Sequence, residues 1–257
     1  MTLENRRILI TGAGVRIGRA LARLLAADGA RIVLHCNRSV EATRELLTEL
    51  GGESAGHSLV QCDLADPSAR DSLVSRLCRD KPLWALINNA SAYTRKPLAE
   101  VTQDDLHRDF EINAFAPIHL MCEFRNRCQS GCVINLLDQR VAAVEPGAGS
   151  YALAKKTLRD ATEAAALEWA PILRVNGIAP GYVLPPPGIS EQAMKPLLAT
   201  VPMQCRTHPD EIAEACRFLL TSPTLTGQIL YMDGGMHLAG MPAPERTHAN
   251  YVHTAEN

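Results

Sequence analysis

Charge of one sign accumulates nowhere in this chain: 26 basic and 28 acidic residues are interspersed and leave a formal charge of −2. A chain so balanced lacks the footprint of a nucleic-acid or anionic-membrane partner, so a small-molecule partner is expected. No apolar stretch is long enough to span a bilayer. The opening Met1-Thr2-Leu3-Glu4-Asn5-Arg6-Arg7 runs straight into a predicted strand, without the pattern of a signal peptide. Cysteine occurs eight times but never as C-x-x-C. Cys36, Cys62, Cys132 and Cys216 fall in apolar or amphipathic stretches, which reads as buried free thiols in a reducing, cytoplasmic setting rather than as a disulfide framework. Cys122, Cys128 and Cys132 lack zinc-type spacing, so no metal site is expected.

What the chain does have is alternation. Short apolar runs predict strands near 6–11, 31–36, 57–62, 83–87, 131–137, 172–178 and 227–231. Amphipathic stretches between them predict helices near 16–28, 40–50, 67–79, 103–125, 150–169 and 209–221. This is the pattern of an α/β fold, a doubly wound parallel sheet of about seven strands with helices on both faces. One catalytic domain is expected over 1–240, followed by a tail, 241–257, without apolar periodicity. Pro67 suits a first helical turn, and Gly29 and Gly51 sit where helices stop. The stretch from Pro180 to Pro209 breaks the rhythm with Pro185-Pro186-Pro187-Gly188 and a short helical piece around 190–199. So long a connection reads as a lid or binding loop, with a rigid surface excursion as the rival reading.

The first strand leads into Thr11-Gly12-Ala13-Gly14-Val15-Arg16-Ile17-Gly18, and an amphipathic helix follows at once. A strand–turn–helix of this kind brings backbone N–H groups and the positive end of a helix to a pyrophosphate. Gly12 and Gly14 allow tight turning and close approach, and Gly18 allows close helix–sheet packing. About twenty residues on, where NAD-binding chains place an acid at the ribose 2′-hydroxyl, this chain has Asn37-Arg38-Ser39. With no carboxylate to repel a 2′-phosphate and a guanidinium to pair with it, NADPH is the expected cofactor. Asp63, followed by Leu64, is placed either to accept from the adenine amino group or to cap the next helix. Asn88, Asn89, Ala90 and Ser91 end the fourth strand at the carboxyl edge of the sheet, where ligands bind in such folds, and at least one of the two asparagines is expected to tie neighbouring loops together.

Tyr151 and Lys155 lie one helical turn apart on one face, thirteen residues after Asp138. An ammonium beside a phenol stabilises the phenolate, so the pair is expected to lower the tyrosine's pKa and provide a proton donor near neutral pH. A packing ring beside a solvated charge is the rival reading.

From the glycine turn through Asn88-Asn89-Ala90, Asn113, Tyr151-x-x-x-Lys155 and Pro180-Gly181, residues 6 to about 238 resemble the short-chain dehydrogenase/reductase family, which is Rossmann-like. The resemblance implies that Tyr151 exchanges the substrate proton and that Lys155 tunes it and binds the nicotinamide ribose. It further implies that Asn113 holds a water in a proton relay, and that Gly12, Gly14, Arg16, Ile17, Gly18, Asn37, Arg38, Ser39, Asp63, Leu64, Asn89, Ala90, Pro180 and Gly181 surround the cofactor. Two positions depart from the usual pattern: Asp138 stands where most relatives have serine, and Arg16 where they have glycine. Both resemble the pteridine reductase branch, including dihydromonapterin reductases. That likeness implies a pterin or folate substrate bordered by Arg16, Ser91, Tyr93, Asp138 and Tyr151, with Tyr93 as the stacking ring where most such relatives have phenylalanine. A serine hydroxyl suits a ketone gaining negative charge, whereas reduction of a C=N bond requires protonation of nitrogen, which an aspartate assists. The alternatives are a reductase of a carbonyl or another cyclic imine, and a non-catalytic NADP-binding sensor. The resemblance also implies a homotetramer, or at least a dimer, packed through the helices near 103–125 and 150–169.

Overall fold

The computed structural model of the chain describes residues 1–79, 81–185 and 190–239. The middle of the proline-rich stretch, Pro186-Pro187-Gly188, and the 241–257 tail lie outside the described residues.

Seven parallel strands form one sheet: β1 Arg7–Ile10, β2 Arg31–Cys36, β3 Ser58–Gln61, β4 Ala85–Asn88, β5 Gly131–Leu136, β6 Leu173–Pro180 and β7 Ile229–Met232, in the order β3-β2-β1-β4-β5-β6-β7. The helices are α1 Arg16–Ala27, α2 Val40–Glu49, α3 Pro67–Asp71, α4 Leu73–Leu77, α5 Gln103–Phe110, α6 Ala116–Arg127, α7 Gly149–Glu168, α8 Glu191–Leu198, α9 Pro209–Thr221 and α10 Met236–Ala239. Among the described residues no helix is long and apolar enough to cross a membrane.

The strands read as unbroken apolar runs because both sheet faces are covered. Alternate side chains serve opposite cores: Ile8, Ile10, Ile32, Leu34, Cys132 and Ile134 join one cluster with Leu21 and Leu25 of α1 and Ile212 of α9. Leu9, Val33 and Val133 join the other with Leu120 and Phe124 of α6 and Leu158 of α7. Cys36, Cys62, Cys132 and Cys216 are buried free thiols, as is Cys128.

Two predicted helices are interrupted. The stretch near 67–79 is two short helices that meet at Ser72; Asp66 caps the first by accepting from Ser68 N and Ala69 N, and Pro67 fills its first turn. The stretch near 103–125 contains a π-helical turn, Glu111–Phe115, between α5 and α6. Pro117 explains why regular α-helix fails there: it has no N–H to give to the carbonyl four residues back, which is that of Asn113.

The sheet order reverses between β1 and β4, so the chain leaves these two neighbours in opposite directions and opens a crevice at their carboxyl ends. One buried side chain shapes that crevice from below. His35, in β2, accepts from Gly12 N at 3.2 Å through Nδ1, and its Nε2 faces Cys62 O at 3.0 Å. Burial lowers the His35 pKa to about 4, with the Cys62 carbonyl opposing. The unfolded imidazole, near 6.5, binds a proton that the folded one refuses. The stabilisation is therefore complete above about pH 6.5 and is lost as pH falls toward 4, by about 3 kcal/mol at most. Thermal midpoints measured at pH 7.5 and 5 are expected to drop less in His35→Asn than in the native chain; an equal drop would assign the acid sensitivity to other groups.

Candidate active site

After β1, the chain turns at Gly12, whose φ of +63° is a conformation that glycine adopts freely. A Cβ there would also lie 3.1 Å from Ala90 Cα. A Cβ on Gly14 would sit 2.1 Å from Thr43 Oγ1 on α2, and one on Gly18 would sit 2.1 Å from Gly12 O and 2.8 Å from Asn89 Nδ2, so the first glycine admits α2 and the second lets α1 pack closely on the ends of β1 and β4. Arg16 holds a left-handed φ of +53°, which costs a side-chain-bearing residue on the order of 1 kcal/mol. Its guanidinium donates to Pro185 O at 3.0 Å and Leu184 O at 3.2 Å, linking the turn to the connection after β6.

Helix α1 starts with no capping side chain and no acidic residue in its first turn, which leaves its end positive and its first N–H groups free for an anion. Ile17 packs partly buried against the core beneath. Arg38 is exposed at the end of β2, between Asn37 and the Ser39 that precedes α2; its carbonyl accepts from Val40 N, and its guanidinium makes no hydrogen bond or ion pair among the described residues. Asp63 is exposed and its carboxylate accepts from Ala65 N at 3.0 Å. Leu64 is a core residue; its side chain is buried and its carbonyl takes a bond from Arg70 Nη1. At the far wall, Gly181 N donates to Met232 O, which fixes Pro180-Gly181 against the end of β7.

Thr11 and the asparagines build the crevice floor. Thr11 Oγ1 accepts from Asn89 N and Ala90 N, both at 2.9 Å, and Asn89 Nδ2 donates to Thr11 O at 2.8 Å and Gly12 O at 3.0 Å. Asn88 points below the sheet edge, donating to Asn135 Oδ1 at 2.8 Å; Asn135 in turn donates to Thr162 on α7. Both asparagines therefore tie elements together. Asn113 is wholly buried in the π-helical turn, where its amide donates to Ala92 O and Asp109 O and its oxygen accepts from Ser91 Oγ at 2.7 Å. Its own main-chain carbonyl is the one that Pro117 deprives of a helical donor.

Ser150 at the start of α7 donates to the buried Asp109 at 2.5 Å, which anchors the helix end that carries Tyr151. Tyr151 donates its hydroxyl proton to Asp138 Oδ2 at 3.0 Å. Lys155, buried on the same face 5.9 Å from the phenol ring centroid, donates to Leu136 O at the end of β5. Its pKa is lowered to about 8 by burial, with Asp138 opposing.

The expected lowering of the Tyr151 pKa is not found. Burial pushes it well above 10, and the Asp138 charge pushes the same way; Arg140 and a hydrogen bond with Ser91 oppose. The phenol points at a carboxylate, which favours the protonated phenol, so Tyr151 is held as a proton carrier.

Asp138 also caps the short turn Gln139–Val141 by accepting from Arg140 N, so the strand-end cap and the contact with Tyr151 are made by one side chain. Tyr93 is 43% exposed and meets the Tyr151 ring at 4.7 Å, edge to face. Arg140 and Glu145 were not expected here. Arg140 pairs with Asp138 at 2.9 Å and with Glu145, and its guanidinium lies 5.2 Å from the Tyr93 ring centroid. The signals available in the sequence were Arg140 two residues after Asp138 and Pro117 four after Asn113.

The family profile described as enoyl-(acyl carrier protein) reductase matches residues 12–237. Mouse L-xylulose reductase is 31% identical over 244 residues, covering 91% of this chain and 97% of that one. Two solved structures are similar throughout. FolM alternative dihydrofolate reductase 1 from Brucella canis, complexed with NADP, is 31% identical with a TM-score of 0.84, covering 95% of this chain and 98% of that one. Its counterpart from Brucella suis, also with NADP, is 30% identical with a TM-score of 0.87, covering 95% and 99%.

Tyr151→Phe keeps the ring that packs on Tyr93 and removes the hydroxyl. Turnover of any substrate the native protein reduces is expected to fall by about 10²–10⁴, with the thermal midpoint nearly unchanged. Native turnover in that variant would exclude Tyr151 as the proton donor.

Proposed function

The chain belongs to the short-chain dehydrogenase/reductase family, and from that premise we propose that it is an NADPH-dependent reductase of a pterin-type substrate, reducing the C=N bond of a dihydropterin or dihydrofolate. The observation that carries the reading is the hydrogen bond from Tyr151 to Asp138, beside Tyr93 and the Ser91–Asn113 pair. The two similar structures, both named as alternative dihydrofolate reductases with NADP, support it.

The residues at the β1/β4 crevice fit the cofactor. The uncapped, acid-free start of α1 suits a pyrophosphate, and Arg38, exposed and with no carboxylate beside it in sequence, suits a 2′-phosphate. Lys155 and Asn89-Ala90 would border the nicotinamide half, with Pro180-Gly181 on the opposite wall. NADPH, when bound, supplies the hydride.

The chain's own residues supply the rest. Tyr151, kept protonated by burial and by Asp138, delivers a proton at its hydroxyl oxygen to the substrate nitrogen. Asp138 orients that hydroxyl and favours the positive charge that develops on the heterocycle. Tyr93, half out in solvent at the mouth, offers a flat apolar face to a bicyclic ring. Lys155 fixes the strand end below through Leu136 O. A carbonyl substrate is the second reading, supported by the likeness to L-xylulose reductase.

The reading treats residues 1–240 as one catalytic domain acting in the cytoplasm, and the chain as a homotetramer. Leu106 on α5, Phe115 in the π-helical turn, and Leu153 and Leu167 on α7 are exposed apolar side chains on the elements expected to pack between copies. Light scattering is expected to give the mass of four chains, and a monomer at micromolar concentration would contradict this.

Followed at the nicotinamide absorbance, NADPH is expected to be consumed with dihydrobiopterin, dihydromonapterin or dihydrofolate. Asp138→Ser is expected to lower that rate while sparing or raising any activity on simple ketones. A native protein that ignores all three pterins and reduces ketones would establish the second reading instead.

A further inference from the structure

Asp138 needs more than Tyr151 to hold its orientation, and the loop between β5 and α7 supplies it. Arg140 Nη1 reaches both carboxylate oxygens, at 3.1 and 2.9 Å. On its other side the guanidinium pairs with Glu145, whose side chain is only 4% exposed. Its Cζ lies over the Tyr93 ring. Arg140 thus touches two of the groups that border Tyr151, the carboxylate that takes its hydrogen bond and the ring that packs on it.

A buried carboxylate such as Glu145 is expensive to desolvate, and an apolar residue of similar volume would ordinarily serve stability as well. Among the described residues the Glu145 side chain makes no hydrogen bond or ion pair with the phenol or with Asp138. Its carboxylate pairs with Arg140 and, at 3.5 Å, with the largely exposed Arg95.

We propose that Glu145 and Arg140 form a positioning relay: Glu145 fixes Arg140, and Arg140 fixes Asp138 and Tyr93 about the hydroxyl of Tyr151. The inference rests on the reductase reading for its kinetic test but not for its spectroscopic one. The groups facing the Tyr151 hydroxyl are Asp138, which raises its pKa, and Arg140 and Ser91, which lower it, with the Lys155 ammonium beneath the ring.

Arg140→Met is expected to reduce kcat by as much as about 10²-fold, the cost of a small misplacement of reacting groups. The KM for NADPH should stay near the native value. Glu145→Gln should cost less, and the double variant no more than Arg140→Met alone, because Glu145 acts only through Arg140. Additive losses, or native kcat in Arg140→Met, would overturn the relay. Should Arg140→Met not fold, Arg140→Lys keeps the charge and loses the two-pronged contact; native kcat in that variant would equally overturn it.

The substrate is whichever compound the native protein reduces, so indifference to dihydropterins would defeat the functional reading while leaving the variant-to-native ratio informative. Independently of turnover, the ¹³Cζ tyrosine signal that disappears in Tyr151→Phe should change its chemical shift at neutral pH in Arg140→Lys and Arg140→Met, as Asp138 and Tyr93 lose the guanidinium that holds them about the phenol. An unmoved signal in the variants that fold would also overturn the relay.

Discussion

The buried hydroxyl of Thr11 is the tie on which the site depends. Parallel strands leave a sheet at the same edge, but β1 and β4 send their chains to opposite sides, and nothing in the sheet ladder holds the two departing loops together. Thr11 Oγ1 does so by accepting from two successive N–H groups after β4, and Asn89 returns two bonds to the turn after β1. The nucleotide turn and the wall that carries Ser91 and Tyr93 are therefore one hydrogen-bonded unit. Beneath it His35 engages the first N–H of the turn, so the crevice is fixed before any ligand arrives.

Burial sets the electrostatics of the proton-handling groups, and it moves the two members of Tyr-x-x-x-Lys in opposite directions. It raises the phenol and lowers the ammonium, because in each case it disfavours the charged form. The carboxylate of Asp138 pushes both upward, against burial at Lys155 and with it at Tyr151. A phenol that keeps its proton suits a reductase, whose task is to give one up. The same phenol as a base for oxidation would first have to overcome both effects.

The fold was legible because doubly wound sheets write their strands as short apolar runs that need no partner information, and all seven stand near where those runs predict them. The site was legible where chemistry follows spacing along one element, as on α7, or along one turn, as at Thr11–Gly18. It was less so where a side chain's role depends on what another element brings to it. That Gly14 also makes room for Thr43 of α2 is visible only in the fold. That the Leu64 side chain turns into the core is likewise visible only there. Arg140 and Glu145 carried no motif, and their meaning comes from a loop closing on itself beside Tyr93.

The π-helical turn at Glu111–Phe115 separates the site from the core in one respect. A π-turn takes about one residue more than an α-turn to come round to nearly the same face, so the extra residue is absorbed within the turn and α6 keeps the facing that an uninterrupted helix one residue shorter would give it. Leu120, Met121 and Phe124 therefore stay buried against the sheet. A chain that lost the extra residue would keep this core and lose only the local widening that carries Asn113.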